Sequence, residues 1–129
     1  MIICLEGIGQ LLIDNLSPLD GEHKLHLTPF LDSLSKESLV CTNMHAIGRK
    51  THGGNIAISG GFPEFEPFVY MKSAYMGNSF DSNANLLKNE GYQTLFYMGG
   101  SRGSYNIDEF ARIAGFTQIR TRIDYNNDD

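Results

Sequence analysis

Thr51 is the residue of this chain best placed to act as a nucleophile. It carries a hydroxyl, the cations Arg49 and Lys50 precede it, and a glycine-rich segment follows it. A lone carboxylate, Glu6, ends a short apolar run at the beginning of the sequence. A metal ion held by the Glu6 carboxylate and the Thr51 hydroxyl would make this hydroxyl a better nucleophile, because coordination lowers the proton affinity of a bound oxygen.

Each of these residues also has a structural interpretation. Threonine is a common N-cap, so Thr51 is either the cap of a following helix or a nucleophile. A carboxylate directly after an apolar strand is costly unless it is paired, which leaves Glu6 as a metal ligand or as a buried ion-pair partner. Arg49 is predicted to bind an anion, although adjacent cations such as Arg49 and Lys50 are more often solvated. His52 follows Thr51 and could contact the same substrate.

Size and charge restrict the class of protein. A chain of 129 residues with 41% apolar residues is long enough for one domain with a core. The net charge of −5 and the scattered Lys and Arg residues argue against a nucleic-acid partner. Cys4 and Cys41 lie in apolar runs and are predicted to be buried free thiols, with a disulfide between them as the alternative. The sequence contains neither a membrane-spanning run nor a signal peptide.

The pattern along the chain predicts an α/β fold. Strands are expected at residues 2–6, 38–46, 92–98 and 118–121, and helices at residues 10–16, 53–59, 83–90 and 106–114, with another helix starting at Thr28-Pro29. Gly91 and Gly115 are expected to end two of the helices. Residues 62–78 are expected to be irregular, with an aromatic cover made of Phe62, Phe65, Phe68, Tyr70 and Tyr75.

Alternation of strands and helices implies crossover connections and a mainly parallel sheet. In such sheets, functional residues collect beyond the carboxyl ends of the strands. Glu6 ends one predicted strand, and Thr51 and the loop at residues 99–102 each follow another. The sequence therefore predicts that these three regions converge at one edge of the sheet.

Several short motifs occur in a distinctive order. They are residues 4–6 (Cys-Leu-Glu), 27–34 (Leu-Thr-Pro-Phe-Leu-Asp-Ser-Leu), 39–43 (Leu-Val-Cys-Thr-Asn), 48–51 (Gly-Arg-Lys-Thr), 91–94 (Gly-Tyr-Gln-Thr), 98–100 (Met-Gly-Gly) and 110–116 (Phe-Ala-Arg-Ile-Ala-Gly-Phe). This series resembles the sulfatase branch of the alkaline phosphatase superfamily, most closely the bacterial lipoteichoic acid synthase-like proteins. The resemblance covers essentially all 129 residues and implies the N-terminal part of an alkaline phosphatase-like α/β/α catalytic domain.

The resemblance also implies roles for individual residues. Glu6 corresponds to a metal ligand, and Thr51 corresponds to the nucleophile that coordinates the same divalent ion (Mn, Mg, Zn or Ca). Formylglycine sulfatases carry a Cys-x-Pro-x-Arg signature at the nucleophile, and this chain does not. Threonine fits phosphoryl transfer from a phosphodiester through a phosphothreonine intermediate, rather than sulfate-ester chemistry by the formylglycine route.

The chain departs from the family pattern at three places. Gly7 follows Glu6, where family members usually have serine. In lipoteichoic acid synthases an aromatic residue and an arginine grip the glycerol phosphate. Tyr105 and Ile107 lie near those positions, so Tyr105 is the predicted substrate-binding residue and the guanidinium is missing. The chain contains no Asp-His pair, which the family uses to complete its metal site.

With only Glu6 and Thr51 as ligands, the divalent ion is expected to be weakly bound. The chain is therefore interpreted as an enzyme fragment that needs a missing C-terminal half or a complementing chain, and self-association is expected without one. The expected substrate is a phosphodiester or sulfate-ester small molecule or a lipid head group. The alternative is a non-catalytic, anion-binding remnant. The resembling family is membrane-anchored with its catalytic domain outside the cell, which leaves the location of this chain open.

Overall fold

A computed structural model describes residues 1–47, 50–63 and 69–125 of the chain. The chain divides into two compact units, residues 1–45 and residues 46–129. Three features singled out in the sequence lie outside the described residues: Arg49, the aromatic side chains Phe65 and Phe68, and the last four residues, 126–129.

The first unit contains a 3-10 turn and one α-helix. The turn is Gln10–Leu12, and helix α1 is Pro29–Lys36. Thr28 occupies the N-cap position of α1 as predicted, but its hydroxyl donates a hydrogen bond to the Leu12 carbonyl at 2.6 Å instead of capping the helix. Asn15 contacts α1 through Asp32 and Ser35, so hydrogen bonds connect the turn region to the helix. Of residues 1–45, only Asp14 is buried.

The predictions for residues 2–6, 10–16 and 38–46 are corrected by the structure. It assigns no strand to residues 2–6 or 38–46, and only the short 3-10 turn within residues 10–16. Apolar runs of this kind indicate burial, but a strand also needs a neighbouring strand to accept its backbone hydrogen bonds. The side chains of both runs are exposed, for example Ile3 at 68% and Leu39 at 96%.

The cysteine prediction is half right. Cys4 and Cys41 are free thiols, so the alternative of a disulfide is wrong. Both are exposed rather than buried. The error has the same origin as the two missing strands, because each cysteine lies in one of the apolar runs that the sequence pattern assigned to a buried sheet.

The second unit contains most of the regular structure. Its helices and strands are α2 (Thr51–Gly60), α3 (Asn83–Asn89), β1 (Leu95–Tyr97), α4 (Ile107–Ile113) and β2 (Gln118–Arg120). Four 3-10 turns accompany them: Tyr70–Lys72, Ala74–Gly77, Ser104–Asn106 and Arg122–Asp124. Gly91 and Gly115 follow α3 and α4 with φ of 85° and 86°, which confirms both predicted helix ends.

Strands β1 and β2 are paired in parallel, with Phe96 opposite Ile119. Helix α4 connects them, so the segment forms the crossover unit that the alternating pattern predicts. Thr94 and Thr117 extend the pairing beyond the strands, since the Thr117 hydroxyl donates to the Thr94 carbonyl at 2.7 Å and accepts from the Thr94 amide at 3.0 Å.

The hydrophobic core of the second unit forms around α4. Its buried side chains are Ile56 from α2, Met71 from the first 3-10 turn, and Ile107, Phe110 and Ala114 from the α4 region. Burial of one large apolar side chain stabilises a fold by about 1.5–3 kcal/mol. The core therefore holds α2, the Tyr70–Lys72 turn and α4 in one unit.

The predicted aromatic cover exists in part. Phe62, Tyr70 and Phe80 pack edge to face, with ring centroids 5.4–6.1 Å apart. Phe80 also stacks on Phe110, which connects the group to the core. Tyr75 does not join them, because it is 67% exposed.

Candidate active site

Thr51 is the first residue of helix α2. The N-cap position belongs to Lys50, whose backbone is extended with φ −132°, so the interpretation of Thr51 as the cap is wrong. The Thr51 side chain is exposed at the surface of the second unit. A hydroxyl at this position lies next to the positive end of the helix dipole, which favours a bound phosphate.

Helix α2 forms despite the low helix propensity of its glycines. Gly53 and Gly54 occupy its first turn, and each glycine costs a helix about 1 kcal/mol relative to alanine. The helix is held by burial of Ile56, which is fully inaccessible, and by Gly61, which ends it with φ 72°. Tertiary packing rather than local preference therefore fixes the position of Thr51.

His52 is buried, with 3% of its surface exposed. Its Nδ1 accepts a hydrogen bond from the Gly53 amide at 3.1 Å, which orients the ring. The ring lies edge to face with the Tyr105 ring, with centroids 6.4 Å apart. Because His52 is adjacent to Thr51, this contact places Tyr105 in the neighbourhood of the predicted nucleophile.

Tyr105 lies in an unusual backbone conformation. Both Tyr105 and Asn106 have positive φ, 54° and 57°, in the left-handed region that glycine normally occupies. The side-chain amide of Asn106 donates to the Met71 carbonyl at 2.9 Å, and the backbone amide of Gly103 donates to Asp108 Oδ1 at 3.1 Å. These bonds hold the loop before α4, and the Tyr105 side chain is left 66% exposed.

Lys72 adds a cation that the sequence pattern did not reveal. Its Nζ lies 5.9 Å from the centroid of the Tyr105 ring. The only sequence signal was its position in the irregular segment 62–78, where prolines interrupt any periodicity. Sequence reasoning therefore had no means of placing Lys72 beside Tyr105.

The glycine-rich loop after β1 carries a second cation, Arg102. Its Nη2 forms an ion pair with Asp124 Oδ1 at 2.8 Å. The Thr121 backbone amide and hydroxyl also donate to the Asp124 carboxylate. The hydrogen bond from the Thr121 amide, with help from Arg102, lowers the pKa of Asp124 below its ordinary value. Arg102 is thus a structural residue of this loop.

Ile107, which stands near the position where the resembling family has an arginine, is a core residue here. It is 7% exposed and packs with Phe110. A charged group at this position would have to be buried, at a cost of several kcal/mol in proteins. The packing around α4 therefore requires an apolar side chain at position 107 and would not accept an arginine there.

Glu6 is exposed and directly precedes Gly7, whose φ of 70° forms a turn. It belongs to the first unit, whereas Thr51 belongs to the second. The sharing of one ion by these two side chains stays a prediction. Across residues 1–47, 50–63 and 69–125, no three His, Cys, Asp or Glu side chains form a group that could hold a metal ion.

The remaining histidines are exposed and belong to the first unit. His23 pairs with Asp20, and His26 contacts the buried Asp14 through both its backbone amide and its ring. His45 is exposed and contacts Asn43. These contacts are local, and they stabilise turns of the first unit.

The chain is similar to known proteins in both sequence and fold. No family model matches the chain. A crystal structure of an alkaline phosphatase superfamily protein from Vibrio parahaemolyticus superposes on it with a TM-score of 0.79 and 33% identity, covering 92% of this chain and 28% of the other. Over most of its length the chain is thus similar in sequence and fold to an alkaline phosphatase superfamily protein. Its fold is alkaline phosphatase-like, as the motif order predicts.

Two further proteins are similar to the chain, one in sequence and one in fold. Phosphoglycerol transferase I from Escherichia coli O127:H6 is 31% identical over 105 residues, which are 78% of this chain and 14% of the transferase. The lipoteichoic acid synthase LtaP from Listeria monocytogenes has the same fold, with a TM-score of 0.76 and 19% identity, over 93% of this chain and 28% of that protein. The chain thus spans a small part of the length of the proteins that it matches.

No helix within the described part of the chain is long and apolar enough to cross a bilayer.

Proposed function

We propose that this chain is part of a phosphotransferase or hydrolase domain that acts on phosphodiesters through Thr51. The observation that carries the proposal is the position of Thr51, exposed at the first residue of a helix in a chain related to phosphoglycerol transferase I. The Thr51 hydroxyl oxygen attacks phosphorus, and one alcohol of the diester leaves with the proton that the hydroxyl gives up. The phosphate, still esterified to the other alcohol, stays bonded to Thr51 until an acceptor alcohol or water displaces Thr51 from phosphorus.

A divalent cation would supply charge stabilisation to the reacting oxygens. The Glu6 carboxylate and the Thr51 hydroxyl are the oxygen donors that hard cations such as Mg²⁺, Mn²⁺ or Ca²⁺ prefer. Two oxygens fill only a minority of the positions around such an ion. We therefore infer that the cation is held weakly by this chain and that further ligands come from a C-terminal half or a complementing chain.

A chimera with the curated relative tests the proposal. The matching segment of the Escherichia coli phosphoglycerol transferase I is replaced by this chain, and turnover of a chromogenic phosphodiester is measured with Mg²⁺ or Mn²⁺. Thr51→Ala is expected to lower turnover at least about a thousandfold, as loss of a nucleophile does. Mass spectrometry of the active chimera is expected to find a phosphorylated peptide that contains Thr51.

Thr42→Ala is the matched control, since Thr42 is an exposed threonine of the first unit. It should leave turnover unchanged. Full turnover by the Thr51→Ala chimera would refute the role of Thr51. The 129-residue chain alone is expected to show negligible turnover, because in-line displacement needs charge stabilisation of both the attacking and the leaving oxygen.

The second candidate is an anion-binding module without catalysis. It is favoured by the lack of a group of three metal-ligating side chains in the described residues. The chimera separates the two functions. Binding of phosphate without turnover, and without a phosphorylated Thr51, would support the module.

A further inference from the structure

The loop that carries Tyr105 is attached to the 3-10 turn that carries Lys72 at two adjacent points. The first is a hydrogen bond from the Asn106 side chain to the Met71 carbonyl. The second is the contact between the Tyr105 ring, from the residue before Asn106, and the Lys72 ammonium, from the residue after Met71. Met71 and Ile107 anchor the two segments in the core. The relative position of Lys72 and Tyr105 is thus fixed by packing and not by their own contact alone.

The left-handed backbone of Tyr105 and Asn106 costs more free energy than the contact between Lys72 and Tyr105 provides. Two consecutive non-glycine residues in the left-handed region cost of the order of 1–2 kcal/mol each, although Asn tolerates it better than Tyr. An exposed cation–π contact stabilises a fold by about 0.5–1 kcal/mol. The strained loop therefore needs a reason beyond the stability that the Lys72–Tyr105 pair provides.

The Lys72 ammonium remains accessible to an anion. Lys72 and Tyr105 are both exposed. Within the described part of the chain, no carboxylate forms an ion pair with Lys72. The Tyr105 ring also contacts the ring of His52, the residue after Thr51. Tyr105 is therefore a neighbour both of the Lys72 ammonium and of the residue that follows Thr51.

We propose that Lys72, oriented by the Tyr105 ring, binds the phosphate oxygens of the substrate that Thr51 attacks. The inference rests on the proposed function and adds to it the residue that recognises the substrate's charge. The ligand is a phosphate ester of a small alcohol. The ammonium pairs with the phosphate oxygens, and the exposed Tyr105 ring covers the alcohol.

The test measures binding to the full chain by NMR titration with glycerol 1-phosphate and, separately, with inorganic phosphate. Lys72→Gln removes the charge and keeps most of the side-chain length. It is expected to weaken glycerol 1-phosphate binding roughly tenfold, as loss of one charge-assisted hydrogen bond does. Lys88→Gln is the control, because Lys88 is an exposed lysine in the last turn of α3 and its replacement changes the net charge equally.

Variants of Tyr105 separate the ring from the hydroxyl. Tyr105→Phe keeps the ring face and should bind within about twofold of the wild type, whereas Tyr105→Leu should bind several-fold more weakly. Glycerol 1-phosphate should bind more tightly than inorganic phosphate if the ring covers the alcohol. Thermal melts of all variants show whether any loss of binding comes from unfolding.

The outcomes distinguish this inference from the proposed function. Thr51→Val removes the hydroxyl and should abolish turnover of the chimera while leaving binding of glycerol 1-phosphate in place. If Lys72→Gln binds as tightly as Lys88→Gln, or if the wild type binds neither probe, the role of Lys72 is wrong. If binding depends on Lys72 but the Thr51→Val chimera still turns over, the role of Thr51 is wrong and that of Lys72 stands.

Discussion

Single glycines decide where two helices of the second unit end. Gly91 and Gly115 have almost the same φ, 85° and 86°, so alanine is strained equally at both. Their surroundings differ. A Cβ at Gly115 would overlap Oδ1 of the Asn85 side chain, whereas a Cβ at Gly91 would meet nothing within 4 Å.

Alanine substitutions at Gly91 and Gly115 should therefore differ in their effect on stability. Gly91→Ala should lower the free energy of unfolding by about 1 kcal/mol, the cost of the left-handed conformation alone. Gly115→Ala should lower it by roughly 3 kcal/mol, because the side chain of Asn85 must also move. Urea denaturation of the two variants measures the difference. Equal losses would mean that Asn85 can give way at no cost.

The sequence indicates only part of the candidate site. The neighbours of Thr51 predict it as a nucleophile, and the family resemblance implies Tyr105 as a substrate-binding residue; both roles stay predictions. Neither source indicates the cation beside Tyr105, because Lys72 reaches it through an irregular segment and a hydrogen bond from the Asn106 side chain to a backbone carbonyl. Contacts between irregular segments leave no periodic signal in a sequence.

Helices α3 and α4 are joined by one buried hydroxyl. Ser82 is fully buried, caps α3 by accepting from the Asn85 amide at 2.9 Å, and donates to the carbonyl of Ala114 at the end of α4. One side chain therefore satisfies backbone groups of both helices. The sequence indicated the beginning of α3, but it gave no sign that its cap also reaches α4.

We expect Ser82→Ala to lower the free energy of unfolding by about 2–3 kcal/mol. The change removes an N-cap and leaves a buried carbonyl without its donor. Ser101→Ala, at an exposed serine of the loop after β1, is the control and should change stability by less than about 0.5 kcal/mol. Thermal or urea unfolding followed by circular dichroism makes the comparison. A small loss in Ser82→Ala would show that water replaces the hydroxyl.

The helices and strands predicted from the sequence are confirmed where local capping and turn residues agree with the packing of the folded chain. The segment from α3 to β2 combines capping residues, terminal glycines and apolar strands, and the structure matches it closely. Residues 2–6 and 38–46 have strand-like composition but no strand to pair with in the structure. A strand is defined by its partner, and composition alone does not supply one.

At the scale of the whole molecule, apolar side chains are unusually exposed. In the first unit Phe30 is 74% exposed and Leu39 is 96% exposed; in the second unit Leu86 is 57% exposed and Tyr97 is 59% exposed. Contiguous exposed apolar surface tends to mark an interface. Together with the 28% share of the Vibrio parahaemolyticus protein that the chain spans, this supports the proposal that further polypeptide covers these side chains.

The purified chain is accordingly expected to self-associate and to bind a hydrophobic dye. Sedimentation velocity and dye fluorescence measure both properties. Leu39→Gln, at a fully exposed position, should reduce association without lowering the melting temperature, because no packing is lost. A monomer that binds no dye and melts cooperatively would contradict the proposal and would show that the 129 residues are self-sufficient.

The two exposed thiols can be used to detect whether further polypeptide covers the exposed apolar side chains. Cys4 and Cys41 are the chain's two cysteines, and each lies in an apolar run of the first unit. An alkylating reagent reaches an exposed thiolate quickly and a covered one slowly, because reaction depends on access and on ionisation. The rate of alkylation at each cysteine would therefore report, without any engineered label, when a partner segment docks on the run that contains it.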